Sequence, residues 1–264
     1  MNSNIVQLQQ EVKTGIDTCE LHGDYQTKIH TLMGKEFRSA CPECSAIAKA
    51  EAEAKATTEM AITKRVRIEE KMGSALVPKR FQGKKFNTYK VENTGQQKAL
   101  DACRSYAEEF KENLAMGRCL ILCGQPGTGK THLATAIADY LITETKYTAV
   151  YRSLFSILQS VKNTYGKDSE HTERQVFRDL ERPDLLIIDE IGATKSTEFE
   201  LATLFALINA RYENQLPTLI ISNLEPDELK GAIGERCVDR LREGGGKALS
   251  FGWDSMRSKI GAAS

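Results

Sequence analysis

A glycine-rich octapeptide constrains the fold of this chain more than any other feature. It reads Gly-Gln-Pro-Gly-Thr-Gly-Lys-Thr over residues 124–131, follows the apolar run Cys119–Cys123 and precedes the helix-compatible segment His132–Leu141. A strand, a glycine-rich loop and a helix in this order let backbone N–H groups and the positive end of the helix dipole converge on phosphate. The sequence therefore predicts an α/β domain with a nucleotide site. The alternative is a glycine-rich turn with an exposed lysine.

Two side chains of this loop have predicted roles in binding ATP or ADP with Mg²⁺. Lys130 supplies a cation for the β- and γ-phosphates, and Thr131 supplies a hydroxyl for Mg²⁺. The predicted nucleotide-binding residues are Gly124, Gln125, Pro126, Gly127, Thr128, Gly129, Lys130, Thr131 and His132.

A second motif places two carboxylates after a continuous apolar run. Asp189 and Glu190 follow Leu185–Ile188, which is typical of a strand buried on both faces with its carboxyl end at the ligand crevice. Asp189 is expected to hold Mg²⁺ through its water shell. We predict that Glu190 orients or deprotonates the attacking water. The alternative is that both residues simply begin a solvated loop.

Composition limits the other classes of function. The 264 residues contain 36 acidic and 36 basic side chains, so no global charge draws the chain to nucleic acid or membrane. The N-terminus has no basic region followed by an apolar core, and no apolar run approaches the 18 residues of a membrane span. We therefore expect a soluble cytoplasmic protein without membrane contact, and its seven cysteines are expected to be reduced.

Changes in composition divide the chain into three predicted parts: a small module over residues 1–44, a basic helical linker over 45–80, and an ATPase domain over 81–264. The segment from Ser45 to about Met72 lacks proline and favours a long helix. Alternating helical and strand patterns after Phe86 predict a parallel sheet with helices on both faces. The predicted strands are Cys119–Cys123, Thr148–Tyr151, Leu185–Asp189, Pro217–Ser222 and Ala248–Phe251.

The N-terminal module carries two pairs of metal-ligand residues. Cys19 and His22 form one pair, and Cys41 and Cys44 form the other, each with two intervening residues. Four such ligands with no open position indicate a structural zinc, and Pro42 stiffens the second pair. A segment this short and polar buries little core, so zinc would supply most of its folding energy. The alternative is reduced cysteines beside a surface histidine.

Several segments are candidates for DNA contact. Residues 61–90 contain nine basic and two acidic side chains, which fits either a phosphate-binding surface or an ordinary solvated face. Aromatic rings among lysines suit stacking on unpaired bases, although the same rings could pack into the domain. The aromatic and lysine candidates for single-stranded DNA contact are Tyr165, Phe199, Lys162 and Lys195.

Polar residues at later positions complete the set of candidates. Asn223 ends an apolar run and can reach a γ-phosphate or the lytic water, but it is also a common turn residue. The segment Gly234–Arg242 carries Arg236, Arg240 and Arg242. A guanidinium group supplied by a neighbouring subunit can stabilise charge on a transferring phosphoryl group.

Together these residues resemble the AAA+ ATPases of the bacterial and phage helicase-loader type, the DnaC family. The resemblance covers roughly residues 81–260. It depends on Phe86–Val91, Gly124–Thr131, Leu185–Gly192, Gly234–Arg242 and residues 251–258, which read Phe-Gly-Trp-Asp-Ser-Met-Arg-Ser.

The resemblance implies a P-loop core with sheet order 5-1-4-3-2 and ATP bound between neighbouring protomers. It also implies roles for Asn223 as sensor 1, Arg240 as an arginine finger acting across the subunit boundary, and Arg257 as the sensor 2 contact to nucleotide. Arg236 is a second interface candidate. In loaders the N-terminal region holds the helicase, which makes residues 1–75 the expected partner-binding part.

The resemblance thus implies a weak ATPase that binds a hexameric DnaB-type replicative helicase and delivers it onto single-stranded DNA. An IstB-type transposition ATPase, acting on duplex DNA with a transposase, shares the core motifs and is the first alternative. A zinc-dependent adaptor whose nucleotide site does not hydrolyse ATP is the second.

Overall fold

The computed structural model describes residues 12–32, 34–166, 171–193 and 197–256. Its internal contacts divide the chain into two compact units, Met1–Val66 and Arg67–Ser264. The boundary falls within one long helix. All seven cysteines have free thiols. Within the described ranges, no helix combines the length and the apolar character that crossing a bilayer would require.

The N-terminal unit contains a three-stranded antiparallel sheet that the sequence did not predict. Its strands are β1 Val12–Cys19, β2 Gly23–Leu32 and β3 Lys35–Arg38, in that order across the sheet. They are mostly polar, so no apolar alternation marks them. Helix α1, Pro42–Ser74, follows and begins three residues earlier than predicted. Proline suits the first helical position because its missing N–H has no intrahelical partner there.

The second unit is built on a parallel five-stranded sheet. Its strands are β4 Leu120–Gly124, β5 Ala149–Ser153, β6 Leu185–Ile191, β7 Thr218–Ser222 and β8 Lys247–Phe251. Each boundary lies within two residues of its prediction. The strand order is β5-β6-β7-β4-β8, which confirms the predicted order 5-1-4-3-2 when the five strands are numbered within the domain.

Helices cover both faces of this sheet, as predicted. The helices are α2 Thr94–Glu108, α3 Phe110–Ala115, α4 Lys130–Glu144, α5 Leu154–Lys162, α6 Glu173–Glu181, α7 Glu198–Glu213, α8 Pro226–Ile233 and α9 Glu235–Arg242. Alternate strand residues belong to two separate cores: Leu120 and Leu122 pack on the side of α2 and α4, whereas Ile121 packs on the side of α5 to α9.

The alternation along β6 decides where its carboxylate lies. Leu185 and Ile187 belong to the core beneath α4, and Leu186 and Ile188 belong to the opposite core. Since successive side chains of a strand point to opposite faces, Asp189 falls on the α4 side. The phosphate loop opens α4, so this register brings the carboxylate to the loop.

Candidate functional site

The phosphate loop lies between β4 and α4, and two of its glycines are required by close contacts. Gly124 has φ 115°, and a Cβ there would lie 2.7 Å from the backbone oxygen of Phe251. Gly129 has φ 97°, and a Cβ there would lie 2.7 Å from the ring of Tyr89. Both positions combine a left-handed backbone with a neighbour that leaves no room for a side chain.

Lys130 lies inside the curve of the loop. Its Nζ donates to the backbone oxygens of Gly124 at 2.6 Å and Gln125 at 2.7 Å. The residue is only 4% exposed. The ammonium group is thus held at the loop centre, where a polyphosphate would meet it.

Asp189 joins the phosphate loop to the sheet. Its Oδ2 accepts hydrogen bonds from Thr131 Oγ1 at 3.0 Å and from Tyr151 Oη at 2.6 Å. Its Oδ1 accepts from the backbone N–H of Glu190 at 2.7 Å. The paired hydroxyl and carboxylate are hard oxygen donors of the kind that Mg²⁺ prefers, so these two residues fit the ion. Sequence reasoning missed Tyr151, which has no motif of its own.

Glu190 is exposed and has a strained backbone. Its φ is 65°, a left-handed value that costs a non-glycine residue about 1–3 kcal/mol. The pairing of β6 with β7 shifts register between Ile188 and Ile191, so the strain coincides with an irregularity of the strand. Such strain persists only where surrounding structure enforces it, and it is common at catalytic positions.

Asn223 lies at the same edge of the sheet. It is exposed at the first position after β7. The preceding residue, Ser222, donates its hydroxyl to the backbone oxygen of Ile191 at 2.7 Å, which ties the end of β7 to the end of β6. The predicted sensor residue therefore follows a fixed junction beside the two carboxylates.

Two aromatic side chains hold the outer curve of the loop. Trp253 Nε1 donates to the backbone oxygen of Thr128 at 3.0 Å, and Tyr89 Oη donates to the same oxygen at 3.3 Å. Both residues are far from the loop in sequence. Sequence reasoning used them only as marks of resemblance and did not assign them this role.

The ring of His132 contacts the segment that precedes the domain core. Its Nε2 lies 3.2 Å from Thr88 Oγ1 and 3.1 Å from the backbone oxygen of Lys85, and its ring packs edge-on against Tyr89. Burial lowers the pKa of His132. The imidazole is thus engaged by the 85–89 segment.

Arg240 packs on aromatic rings of α7. Its guanidinium carbon lies 4.6 Å from the ring centroid of Phe205 and 5.5 Å from that of Tyr212. Its buried Nη1 has no hydrogen-bond partner among the described residues. Arg236 is exposed on the same helix. Arg257, the predicted sensor 2 residue, lies outside the described residues.

Three of the four aromatic and basic DNA candidates come together. The rings of Tyr165 and Phe199 are 6.5 Å apart, and Lys162 Nζ lies 5.4 Å from the Phe199 ring centroid. Tyr165 is 63% exposed, whereas Phe199 is half-buried against the core. Lys195 lies outside the described residues. The interpretation that both rings pack into the domain therefore holds in part for Phe199 and fails for Tyr165.

The cysteine and histidine residues of the N-terminal unit converge. The four candidate ligand atoms of Cys19, His22, Cys41 and Cys44 all lie within 4.8 Å of one another. His22 Nδ1 is 3.6, 3.6 and 3.3 Å from the three sulfur atoms in sequence order, and the Cys19 and Cys44 sulfur atoms are 3.6 Å apart. Ligands around a tetrahedral zinc are about 3.6–3.8 Å apart, so the donor set fits zinc.

Neighbouring groups orient these ligands. His22 Nε2 lies 3.4 Å from Glu43 Oε2, which favours Nδ1 as the metal-binding nitrogen. A hydrogen bond from the backbone of Leu21 is the largest of the contacts that lower the pKa of the Cys19 thiol to about 6. Zinc binds thiolate, so this contact favours the ligand form. Glu43 was missed by sequence reasoning although it lies between Cys41 and Cys44.

Comparisons with known proteins agree with this geometry. Residues 46–259 match the family model described as IstB-like ATP binding protein. The replicative helicase loader DnaC of Buchnera aphidicola subsp. Acyrthosiphon pisum (strain APS) is 36% identical over 197 residues, which are 75% of this chain and 78% of that protein. DnaC of Escherichia coli (strain K12) is 37% identical over 175 residues, covering 66% and 69% of the two chains.

A solved structure supports the same relationship. A crystal structure of the DnaC helicase loader superposes with a TM-score of 0.57 and 25% identity, covering 66% of this chain and 99% of that chain. The family model spans residues 46–259, a range that contains the phosphate loop and both carboxylates of this chain. The chain therefore belongs to the IstB-like ATP-binding family and, within it, to the DnaC-type AAA+ family.

Proposed function

We propose that this chain binds a hexameric DnaB-type replicative helicase and delivers it onto single-stranded DNA under the control of ATP. The observation that carries the proposal is the junction of Lys130, Thr131 and Asp189 at one loop, in a chain whose relatives are named replicative helicase loaders. This junction provides a site for a nucleoside triphosphate.

The residues of the junction have separate roles. Lys130 attracts the β- and γ-phosphates, and the start of α4 adds backbone N–H donors. Thr131 and Asp189 would hold Mg²⁺, which supplies charge neutralisation at the phosphates when bound. Glu190 orients or deprotonates the attacking water, and Asn223 contacts the γ-phosphate or that water. Arg257 is the proposed sensor 2 contact.

ATP acts as a switch between assembly states. Arg240 of one protomer reaches the nucleotide of the next, so ATP favours a multi-subunit assembly and hydrolysis releases it. A ligand shifts such an equilibrium only through its different affinity for the two states. A low ATPase rate is therefore expected for the isolated chain, because the catalytic arginine comes from a neighbour.

The remaining parts divide the other tasks. We assign helicase binding to residues 1–75, with residues 1–44 as a zinc-stabilised module and residues 45–80 as a basic helical linker to the ATPase domain at 81–264. The cluster of Tyr165, Phe199 and Lys162 is the proposed single-strand contact, and Lys195 is a further candidate. The exposed ring of Tyr165 suits base stacking, and the ammonium group of Lys162 suits phosphate neutralisation.

Co-elution with the helicase tests the proposal directly. Full-length chain and a variant that starts at Leu76 are each mixed with hexameric replicative helicase in ATP and then in ADP. We expect a complex that requires residues 1–75. Absence of a complex in both nucleotides, with ATP binding intact, would contradict the loader function. Duplex DNA and a transposase would then be the next partners to test.

Glu190→Gln separates a loader from a non-hydrolysing adaptor. The substitution keeps the size of the side chain and removes the carboxylate that activates water. We expect normal nucleotide binding, a loss of hydrolysis of about 10²-fold or more, and retention of the helicase complex in ATP. Release of the helicase at the wild-type rate would favour the adaptor.

A further inference from the structure

Both oxygens of the Asp189 carboxylate accept hydrogen bonds from the protein itself. Three donors surround it: the Thr131 hydroxyl and the Tyr151 hydroxyl at Oδ2, and the Glu190 backbone N–H at Oδ1. Asp189 is only 6% exposed. A buried carboxylate without donors would carry a large desolvation cost, so each of these bonds matters to its position.

The three donors would respond differently to Mg²⁺ binding. Thr131 must turn its hydroxyl towards Mg²⁺, because that oxygen is the metal ligand. The Glu190 N–H belongs to the strained backbone at the end of β6. Tyr151 has neither constraint, since its hydroxyl is carried on the neighbouring strand β5, and its bond to Asp189 is the shortest of the three.

The sheet fixes Tyr151 in this position. β5 and β6 pair in register, with Ser153 opposite Asp189, and Tyr151 lies on the same face two residues earlier. Its ring is 6% exposed and packs in the core beneath α4. From this position the Tyr151 hydroxyl donates to the Asp189 carboxylate from within the core.

We propose that Tyr151 is a positioning residue for magnesium: its hydroxyl holds the Asp189 carboxylate in place when Thr131 leaves it for the ion. This inference rests on the proposed Mg–ATP site and adds a residue to it. The phenol acts through Asp189 and touches neither nucleotide nor metal. Groups that orient metal ligands in this way typically change metal affinity by about 10- to 100-fold when removed.

Tyr151→Phe tests the inference because it removes the hydroxyl and keeps the ring. Binding of a fluorescent ATP analogue is measured by anisotropy over a Mg²⁺ titration, with EDTA as the metal-free reference. We expect the Mg²⁺ concentration at half-saturation to rise by about 10- to 100-fold, with metal-free nucleotide affinity unchanged. The measurement does not depend on catalytic activity.

Tyr106→Phe is the matched control. Tyr106 is 7% exposed, lies in the same core, and donates its hydroxyl to the backbone oxygen of Arg118 at 2.8 Å. The Tyr106→Phe variant loses an equivalent buried hydrogen bond, but this bond does not involve Asp189. Its Mg²⁺ half-saturation should remain within about twofold of wild type, so a shift in both variants would mean a general loss of packing and would overturn the inference.

The other outcomes are also decisive. An unchanged half-saturation in Tyr151→Phe would show that Asp189 needs no help from the phenol. A lower half-saturation would show that the phenol competes with the metal. Equal losses with Mg²⁺ and with EDTA would indicate damage to the loop. If wild-type binding itself showed no Mg²⁺ dependence, the proposed Mg–ATP site would fail, independently of Tyr151.

Discussion

Arg211 is the largest fully buried side chain of the chain's described part, and no motif indicates its role. Its guanidinium group donates to the backbone oxygens of Leu180 at 2.8 Å, Pro183 at 3.1 Å and Pro217 at 2.7 Å. Burial lowers its pKa to about 10, which leaves it charged at neutral pH. One side chain therefore satisfies carbonyl groups from the segments that enter β6 and β7.

Arg211→Met is expected to destabilise the core strongly. The substitution keeps an unbranched apolar chain but leaves several buried carbonyl groups without donors, each costing about 1–3 kcal/mol. We expect the free energy of unfolding, measured by urea titration, to fall by about 3–5 kcal/mol. Arg211→Lys should rescue little of this, because a single ammonium group cannot span the fork of acceptors.

The control is Arg178→Met on the exposed surface of α6. A surface substitution of this kind usually changes stability by no more than about 0.5 kcal/mol. Equal effects of the two substitutions would contradict the role assigned to the buried guanidinium group.

At the scale of elements, we expect the β1–β3 sheet to depend on metal binding by the cysteine and histidine cluster. Side chains of this sheet are mostly exposed, including Ile16 at 75% and Phe37 at 54%. The apolar area that this sheet buries is too small to stabilise it alone. Zinc binding can contribute about 10–16 kcal/mol to the folding of a small module. Metal binding and folding of this unit should therefore be one event.

Cys41→Ser should release zinc and unfold β1 to β3 together. Metal analysis is expected to fall from one zinc per chain to near zero, and hydrogen exchange over residues 12–38 should become fast. The strands β4 to β8 should keep their protection, because their core is separate. Ser45→Ala, an exposed change in the same turn of α1, is the control. Persistent protection after zinc loss would contradict the coupling.

Elements also show why some features were predictable. The continuous apolar run of β6 and the glycine-rich loop both have local signatures, so their strands were placed within two residues. The β1–β3 sheet has no such signature, because it presents no apolar face to a core. The hydroxyls of Tyr25 and Thr27 in β2 instead donate to the backbone oxygen of Ser39, and the cysteines converge nearby. Its existence followed from contacts distant in sequence.

For the whole molecule, catalysis should depend on a second copy of the chain. Arg240 of the isolated chain rests on Phe205 and Tyr212, while the proposed role places it at the nucleotide of a neighbour. Arg240→Ala should lower the ATPase rate of the helicase-bound assembly by about 10³-fold and leave nucleotide binding intact. Arg174→Ala, an exposed arginine on α6, should have no effect.

Mixing two inactive variants tests whether the arginine acts between chains. Arg240→Ala retains an intact nucleotide site, and Lys130→Ala retains an intact arginine. If Arg240 acts across the boundary, the mixture should recover part of the ATPase activity that each variant lacks alone. A mixture as inactive as its components would show that Arg240 acts within its own chain.

The sequence alone determined the class of domain, and its resemblance to a known family implied the strand order. The domain class and the predicted nucleotide site follow from local patterns: glycines where the backbone must approach phosphate, and apolar runs that end in Asp189 and Asn223 at one edge of the sheet. The cysteine and histidine cluster was equally visible, because two pairs of ligand residues, each with two intervening residues, form a local pattern in the chain.

Only the tertiary structure decided which groups hold those residues in place. Tyr151 reaches Asp189 because β5 pairs with β6, and Trp253 reaches Thr128 although 125 positions separate them. Arg211 acquires its acceptors from loops that the sheet brings together. A buried donor needs an acceptor within hydrogen-bond distance, and folding brings that acceptor from a distant part of the chain. No local sequence pattern therefore indicates which residues will pair.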